Sequence, residues 1–199
     1  MKKIITVSRQ FGSGGRSIAK ELAKRLGYDY YDSELTNKVA EETGFDPSYI
    51  ADAGEYAPGR SILSYALGSM SPHGNANHMN ASDYLWSAQC RIINELAEKG
   101  NCVIVGRCAD FILRDRDDCL NVFIHADKDY KAKRIVELYG VRDKSPVKRL
   151  EEKDTKRAVN YKYFTGREWG SIENYHISLD SSRLGSELCV KIITEIAKK

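Results

Sequence analysis

The chain has 199 residues, enough for one domain with its own hydrophobic core and no need of disulfides or a structural metal. Lysine and arginine number 31 against 28 aspartates and glutamates, which excludes the large clustered basic excess of a general nucleic-acid binder. Cys90, Cys102, Cys108, Cys119 and Cys189 are odd in number and show no C-x-x-C spacing, so reduced and mostly buried thiols are expected. The opening Met1–Val7 is too short an apolar run for a signal peptide, and no stretch approaches the ~18 apolar residues of a membrane span. These features predict a cytoplasmic protein.

In chain order, Lys3–Val7 is a β-branched apolar run that ends in a glycine-rich turn, the pattern of a buried strand. Ile18, Ala19, Leu22, Ala23 and Leu26 then recur at helical spacing, and Gly27 supplies the stop. Tyr28–Tyr31 predicts a second strand, ending at Asp32-Ser33, with a helix from about Leu35 to Glu42. Between Gly44 and Asn80 the periodicity weakens. Ser61–Leu67 predicts at most a short helix, and the polar Gly68–Asn80 segment predicts a mobile loop. A long helix follows from about Ser82 to Lys99, its buried face marked by Leu85, Trp86, Ala88, Gln89, Ile92, Ile93 and Leu96.

Cys102–Val105 predicts a third strand, ending at Gly106-Arg107, and Leu120–His125 a fourth. A basic helix is expected from about Lys128 to Tyr139. Another is opened by Ser145-Pro146, the usual N-cap serine and N1 proline, and runs to about Tyr163. Tyr175–Leu179 completes five strands, and Leu184–Lys198 forms the closing helix. Strands alternating with helical segments predict an α/β layered fold with a parallel sheet. In such folds ligands bind beyond the carboxyl ends of the strands. Gly12–Ser17, Asp32-Ser33 and Gly106-Arg107 all fall at those ends.

Gly12-Ser13-Gly14-Gly15-Arg16-Ser17 joins a strand to a helix. Its glycines permit positive φ angles that turn backbone N–H groups onto an anion, and the helix start adds its positive dipole end. Ser17 is placed to coordinate a magnesium ion bridging two phosphates. Against G-x-x-x-x-G-K-[ST], Gly15 and Ser17 match, while Gln10 stands at the first glycine and Arg16 at the lysine. A plain glycine-rich turn without a ligand is the bland alternative.

Ser8-Arg9-Gln10-Phe11-Gly12-Ser13-Gly14-Gly15-Arg16-Ser17 resembles the opening of the cytidylate kinase-like family, arginine in the lysine slot included. Tyr31-Asp32, Val103–Asp110, Val122–Ala126 and Asp154–Ala158 with Tyr163–Gly170 carry the resemblance along the chain, except roughly residues 45–85. It implies a three-layer αβα P-loop kinase fold with a five-stranded parallel sheet, in one domain over 1–199. The core would be 1–35, 85–130 and 170–199, the acceptor-binding helical insertion about 36–84, and the lid about 140–169. The implied activity is transfer of the ATP γ-phosphate to a nucleoside monophosphate, CMP or dCMP, with Mg2+. No nucleic-acid or membrane partner is implied, and oligomeric state is not readable. Characterised cytidylate kinases carry lysine in the loop and Gly-Arg-Asp at the third strand, where this chain has Arg16 and Gly106-Arg107-Cys108. A kinase of another small phosphate acceptor, and a module that binds nucleotide without turnover, remain as alternatives.

On this scaffold Arg107 would clamp the acceptor phosphate through its planar fork. Asp32 would join the magnesium shell or orient the acceptor, or be a simple N-cap. By resemblance Asp154 and Arg157 contact the acceptor nucleotide, and Lys131 and Arg134 are lid-hinge cations. An ordinary i,i+3 ion pair of Asp154 with Arg157 is the competing reading. Cys108 is expected to be a buried thiol, and His73 and His78 lack the partners of a zinc site. Trp169, Tyr161, Tyr163 and Phe164 either stack a base or pack the lid helix.

Overall fold

A computed structural model describes residues 1–48, residue 50 and residues 81–199. The five expected strands are β1 (Ile4–Arg9), β2 (Asp29–Tyr31), β3 (Cys102–Val105), β4 (Cys119–His125) and β5 (Ile177–Asp180). They form one parallel sheet in the order β2-β3-β1-β4-β5. β1 lies at the centre, with Ile4 in register with Cys102 on one side and Cys119 on the other. Both faces of the sheet are covered, so its strands are continuous apolar runs without polar alternation.

The helices are α1 (Gly15–Leu26), α2 (Ser33–Thr43), α3 (Ala81–Lys99), the single turn α4 (Ala109–Ile112), α5 (Lys128–Tyr139), α6 (Pro146–Thr165) and α7 (Ser181–Ala197). α1 and α7 cover one face, where Ile18, Leu22, Val190 and Ile193 pack on Ile5, Val7, Val122 and Ile124. α2 and α3 cover the other, where Leu35, Val39, Ile92 and Ile93 meet Ile4, Cys102 and Ile104. α5 and α6 pack against each other. The result is the three-layer arrangement expected from the sequence.

Local chemistry explains the boundaries. Ser145 caps α6 by accepting from Lys148 N at 3.3 Å, with Pro146 at the first helical position. Asp180 caps α7, accepting from Ser182 N at 2.9 Å and Arg183 N at 3.3 Å. The Ser182 hydroxyl, donating to the same oxygen, holds its carboxyl below the usual range, and the two N–H bonds add to that. β5 starts two residues later than expected because a 3-10 turn at Ile172–Asn174 precedes it, leaving Tyr175 to pack on Phe123 at 4.9 Å. Trp86 is half-buried, not a core residue, since α3 turns it toward α6 to stack on Phe164 at 4.6 Å. All five cysteines are free thiols, four of them buried. The expected short helix at 61–67, the loop at 68–80 and most of the 36–84 insertion lie outside the described residues.

Candidate active site

The turn from β1 into α1 is held from behind by three neighbouring elements. Gln10 Oε1 accepts from Lys131 Nζ of α5 at 2.9 Å. Phe11 N donates to Asp154 Oδ1 of α6 at 2.7 Å. Ser13 is fully buried; its hydroxyl donates to Gln10 O at 2.8 Å, and its carbonyl accepts from Ser181 Oγ, the first residue of α7, at 2.6 Å. Gly12, at φ +82°, leaves no room for a side chain, because a Cβ would stand 2.9 Å from Lys131 O and 3.0 Å from Ile135 Cγ2. Gly14, at φ +80°, caps α1, so the loop passes straight into the positive end of a helix.

In front of the loop lies a cleft of about 550 Å3, walled by Gly12, Gly14, Gly15 and Ser17 on one side and by α5, α6 and the segment between them on the other. Arg16, Arg134, Arg142, Lys144, Arg149 and Lys153 line it, against only Asp143 and Glu152 among acids. Arg134 Nη2 donates to Ser17 Oγ at 3.2 Å, which brings a cation to the hydroxyl at the helix start. Arg16 is more than half exposed, and its Nε and Nη2 both reach Asp32 Oδ2 at 2.5 Å. Tyr30 donates to the same oxygen at 3.3 Å, and its phenol is pushed up to about 12 chiefly by burial, with Asp32 adding.

Asp154 and Lys131, expected at the acceptor and the lid hinge, stand together behind the loop. Lys131 is buried and lies 3.7 Å from Asp154 Oδ2. Arg157 makes the i,i+3 pair with Asp154 at 3.4 Å, and the same nitrogen donates to Arg9 O at 3.3 Å. Burial pushes the Asp154 carboxyl up, while the Phe11 N–H, Arg157 and Lys131 pull it back.

β3 ends in three successive left-handed residues, Gly106 (φ +71°), Arg107 (φ +58°) and Cys108 (φ +53°), a strained arrangement for the last two. Gln89 Nε2 of α3 holds the turn by donating to Arg107 O at 3.0 Å. The Arg107 side chain is thereby aimed at α2, donating to Thr36 Oγ1 at 2.7 Å and Ile50 O at 3.0 Å. Beside it is a small polar cavity of about 30 Å3 lined by Ser8, Arg9, Gly106, Arg107, Arg157 and Trp169 among others. Cys108 is a buried thiol, raised by desolvation, as expected. Trp169 meets Phe123 edge-on at 5.4 Å, and Tyr161 donates to Asp110 at 2.6 Å. Tyr161 is buried, Trp169 is half-buried, and both also line the small cavity.

Among the described residues no group of three or more His, Cys, Asp or Glu could hold a metal by itself. Ser17 offers a hydroxyl at the start of α1, which suits a magnesium ion carried by a nucleotide's phosphates and not one caged by protein. The structure thus gathers Gly12, Gly14, Gly15, Arg16, Ser17, Arg134 and Arg157 on one cleft, with Ser13 buried behind the loop, Asp32 reached through Arg16, and Arg107 on the adjoining cavity. Sequence reasoning missed Arg9, Gln10 and Ser181. A strand end, a turn and a helix start carry no periodic signal, and only the fold brings the three together.

Strand order, parallel sense and the glycine turn between β1 and α1 define a P-loop kinase fold. Solved structures agree. The shikimate kinase from Bacteroides thetaiotaomicron matches with a TM-score of 0.55 at 18% identity, covering 100% of both chains. That from Acinetobacter baumannii gives 0.53 at 13%, over 98% of this chain and 93% of its own. An uncharacterised protein from Eubacterium ventriosum gives 0.72 at 26%, over 100% of this chain and 99% of its own.

The model of the cytidylate kinase-like family matches residues 4–183, and the chain belongs to that family. The cytidylate kinase of Methanopyrus kandleri is 22% identical over 199 residues, 96% of this chain and 90% of that protein. That of Aeropyrum pernix is 23% identical over 189 residues, 94% and 95%.

Proposed function

We propose that the protein transfers the γ-phosphate of ATP to a nucleoside monophosphate, with CMP or dCMP the preferred acceptor. The observation that carries this reading is the cation-lined cleft of about 550 Å3 directly in front of the glycine turn, adjoining the smaller cavity at Arg107. Phosphoryl transfer needs positioning and charge stabilisation, with little covalent chemistry from the protein. Family membership and the named relatives favour a nucleoside monophosphate over other small acceptors.

In this reading the backbone of Gly12–Ser17 cradles the donor phosphates, and Arg16 and Arg134 add charge at the helix start. Ser17 would offer its hydroxyl to a magnesium ion bound with the nucleotide, and that ion would supply positive charge toward the phosphates. Arg107 holds the acceptor phosphate and Asp32 orients the acceptor once Arg16 turns to the donor. Residues 140–169 act as the lid, bringing Arg142, Lys144 and Arg149 over the phosphates and excluding water. Asp154 supports the loop, and Arg157 supports Arg9.

A coupled assay of ADP release with ATP, magnesium and a panel of nucleoside monophosphates tests the reading. CMP and dCMP should give the highest kcat/KM. Arg107→Ala should raise the acceptor KM about tenfold or more with a smaller change in the KM for ATP. ATP binding without turnover on any acceptor would replace this reading with that of a nucleotide-binding module.

A further inference from the structure

Glycine is demanded where φ is positive, and in this loop that holds at Gly12 and Gly14. Gly15 is different, being the first residue of α1 and having no left-handed backbone. The turn that leads into the helix in G-x-x-x-x-G-K-[ST] therefore falls on Gly14. Registered there, the pattern has Arg9 at its first glycine and Gly15 at its lysine. Arg16 then stands at the [ST] position that the sequence register gave to Ser17, and Ser17, one residue further along, offers its hydroxyl to the cleft from outside that slot.

Packing explains why Gly15 is glycine. A Cβ there would stand 2.5 Å from Arg9 Cβ, 3.0 Å from Arg9 Cγ and 3.3 Å from Ile124 Cβ. The Arg9 stem thus fills the space a side chain at position 15 would need. Its guanidinium runs on to Gly106, where a Cβ would collide with Arg9 Nη1 and lie 3.2 Å from Cζ. Both glycines leave a channel for one buried arginine.

The two cavities share that arginine. Arg9 lines the large cleft and also the small one beside Arg107, as does Arg157. Arg157 already braces Arg9 O and Asp154 through Nη1. Arg16 lines only the large cleft and is turned to Asp32. Arg9 Nη2 lies 3.9 Å from Asp32 Oδ1, so the Arg9 charge sits between the donor loop and the acceptor side.

We infer that Arg9, and not Arg16, supplies the cation on the transferring phosphoryl group, in the place a lysine at position 15 would otherwise serve. The inference rests on the kinase reading above. In the reaction the bond from the γ-phosphorus to the oxygen bridging it to the β-phosphate breaks, and an oxygen of the acceptor phosphate forms the new bond. ADP leaves with the electron pair. Arg9 remains protonated throughout and meets the charge on the phosphoryl oxygens from the seam between the cavities.

The test is a series of full-length variants measured for ATP affinity by calorimetry without acceptor, and for turnover with the best acceptor. Arg9→Met should weaken ATP binding about tenfold and lower kcat about a hundredfold, a larger loss in each than Arg16→Ala. Gly15→Lys alone should be inactive, because Arg9 occupies its path. The double variant Arg9→Gly/Gly15→Lys restores the first glycine and the lysine of the standard pattern and should recover at least about a tenth of the wild-type turnover. It also serves where Arg9→Met does not fold. Wild-type behaviour of Arg9→Met would overturn the inference, as would a folded double variant that binds ATP no better than Arg9→Gly. If the wild type binds ATP but transfers to no acceptor, the kinase reading fails by itself, and the order of ATP affinities still decides between Arg9 and Arg16.

Discussion

Asp110 brings a carboxylate into the interior beside β1, where it is 2% exposed. Tyr161 donates to one oxygen at 2.6 Å and Ser8 to the other at 3.2 Å. Desolvation raises its pKa, and the two hydrogen bonds with the more distant Arg167 only partly oppose it. A carboxyl raised in the folded state binds more protons there than in the unfolded chain. Its contribution to stability is therefore full at low pH and is lost as pH rises from the ordinary value of 3.8 through the folded value. Urea midpoints taken from about pH 4 to about pH 7 should show Asp110→Asn gaining on the wild type as pH rises. A constant offset between the two would remove Asp110 from the pH dependence. Asp154 shows how far single residues were legible. Its i,i+3 spacing to Arg157 correctly suggested an ion pair, yet the same carboxylate also holds Phe11 N from 143 positions away. Arg9 gave even less warning, since its significance lies in what Gly15 and Gly106 lack.

At the scale of elements, the phosphate loop is rigid because other elements pin it. α7 does so through Ser181, whose hydroxyl donates to Ser13 O at 2.6 Å and lies 3.1 Å from His125 O. Ser181→Ala leaves a buried carbonyl short of its donor and should cost about 1–3 kcal/mol in urea denaturation, with weaker ATP binding as the loop loosens. Unchanged stability would mean that the loop holds its own shape. Gly12→Ala should be worse for ATP binding than Ser181→Ala, combining a forbidden φ with the clash against Lys131 O, and calorimetry separates them. The elements themselves were readable, because buried parallel strands are uninterrupted apolar runs and the helices between them show 3.6-residue spacing. Cys102–Val105 was placed to the residue. The turn α4 was not anticipated. Four residues carry no period, and it exists because the left-handed turn at Arg107 and Cys108 redirects the chain.

Over the whole molecule the net charge is only +3, yet the cleft concentrates cations, with Arg16, Arg134, Arg142, Lys144, Arg149 and Lys153 facing only Asp143 and Glu152. The attractive field is therefore local to the cleft and not a property of the surface as a whole. On the proposed kinase function, a triphosphate entering it would carry more charge than a monophosphate entering the Arg107 side, and so would gain more from that field. Screening lengths shrink from about 14 Å at 0.05 M salt to about 4 Å at 0.5 M. Raising potassium chloride across that range should lower kcat/KM for ATP steeply and that for the acceptor less. Arg142→Gln with Lys144→Gln should flatten the ATP dependence, since both charges lie on the far wall and act through space. Lys144 spends part of its charge on Glu152 at 2.8 Å, so Arg142→Gln alone should account for more than half of the flattening. Parallel salt slopes for wild type and double variant would show that the far wall contributes shape and no field, leaving attraction of the triphosphate to the loop and the helix start.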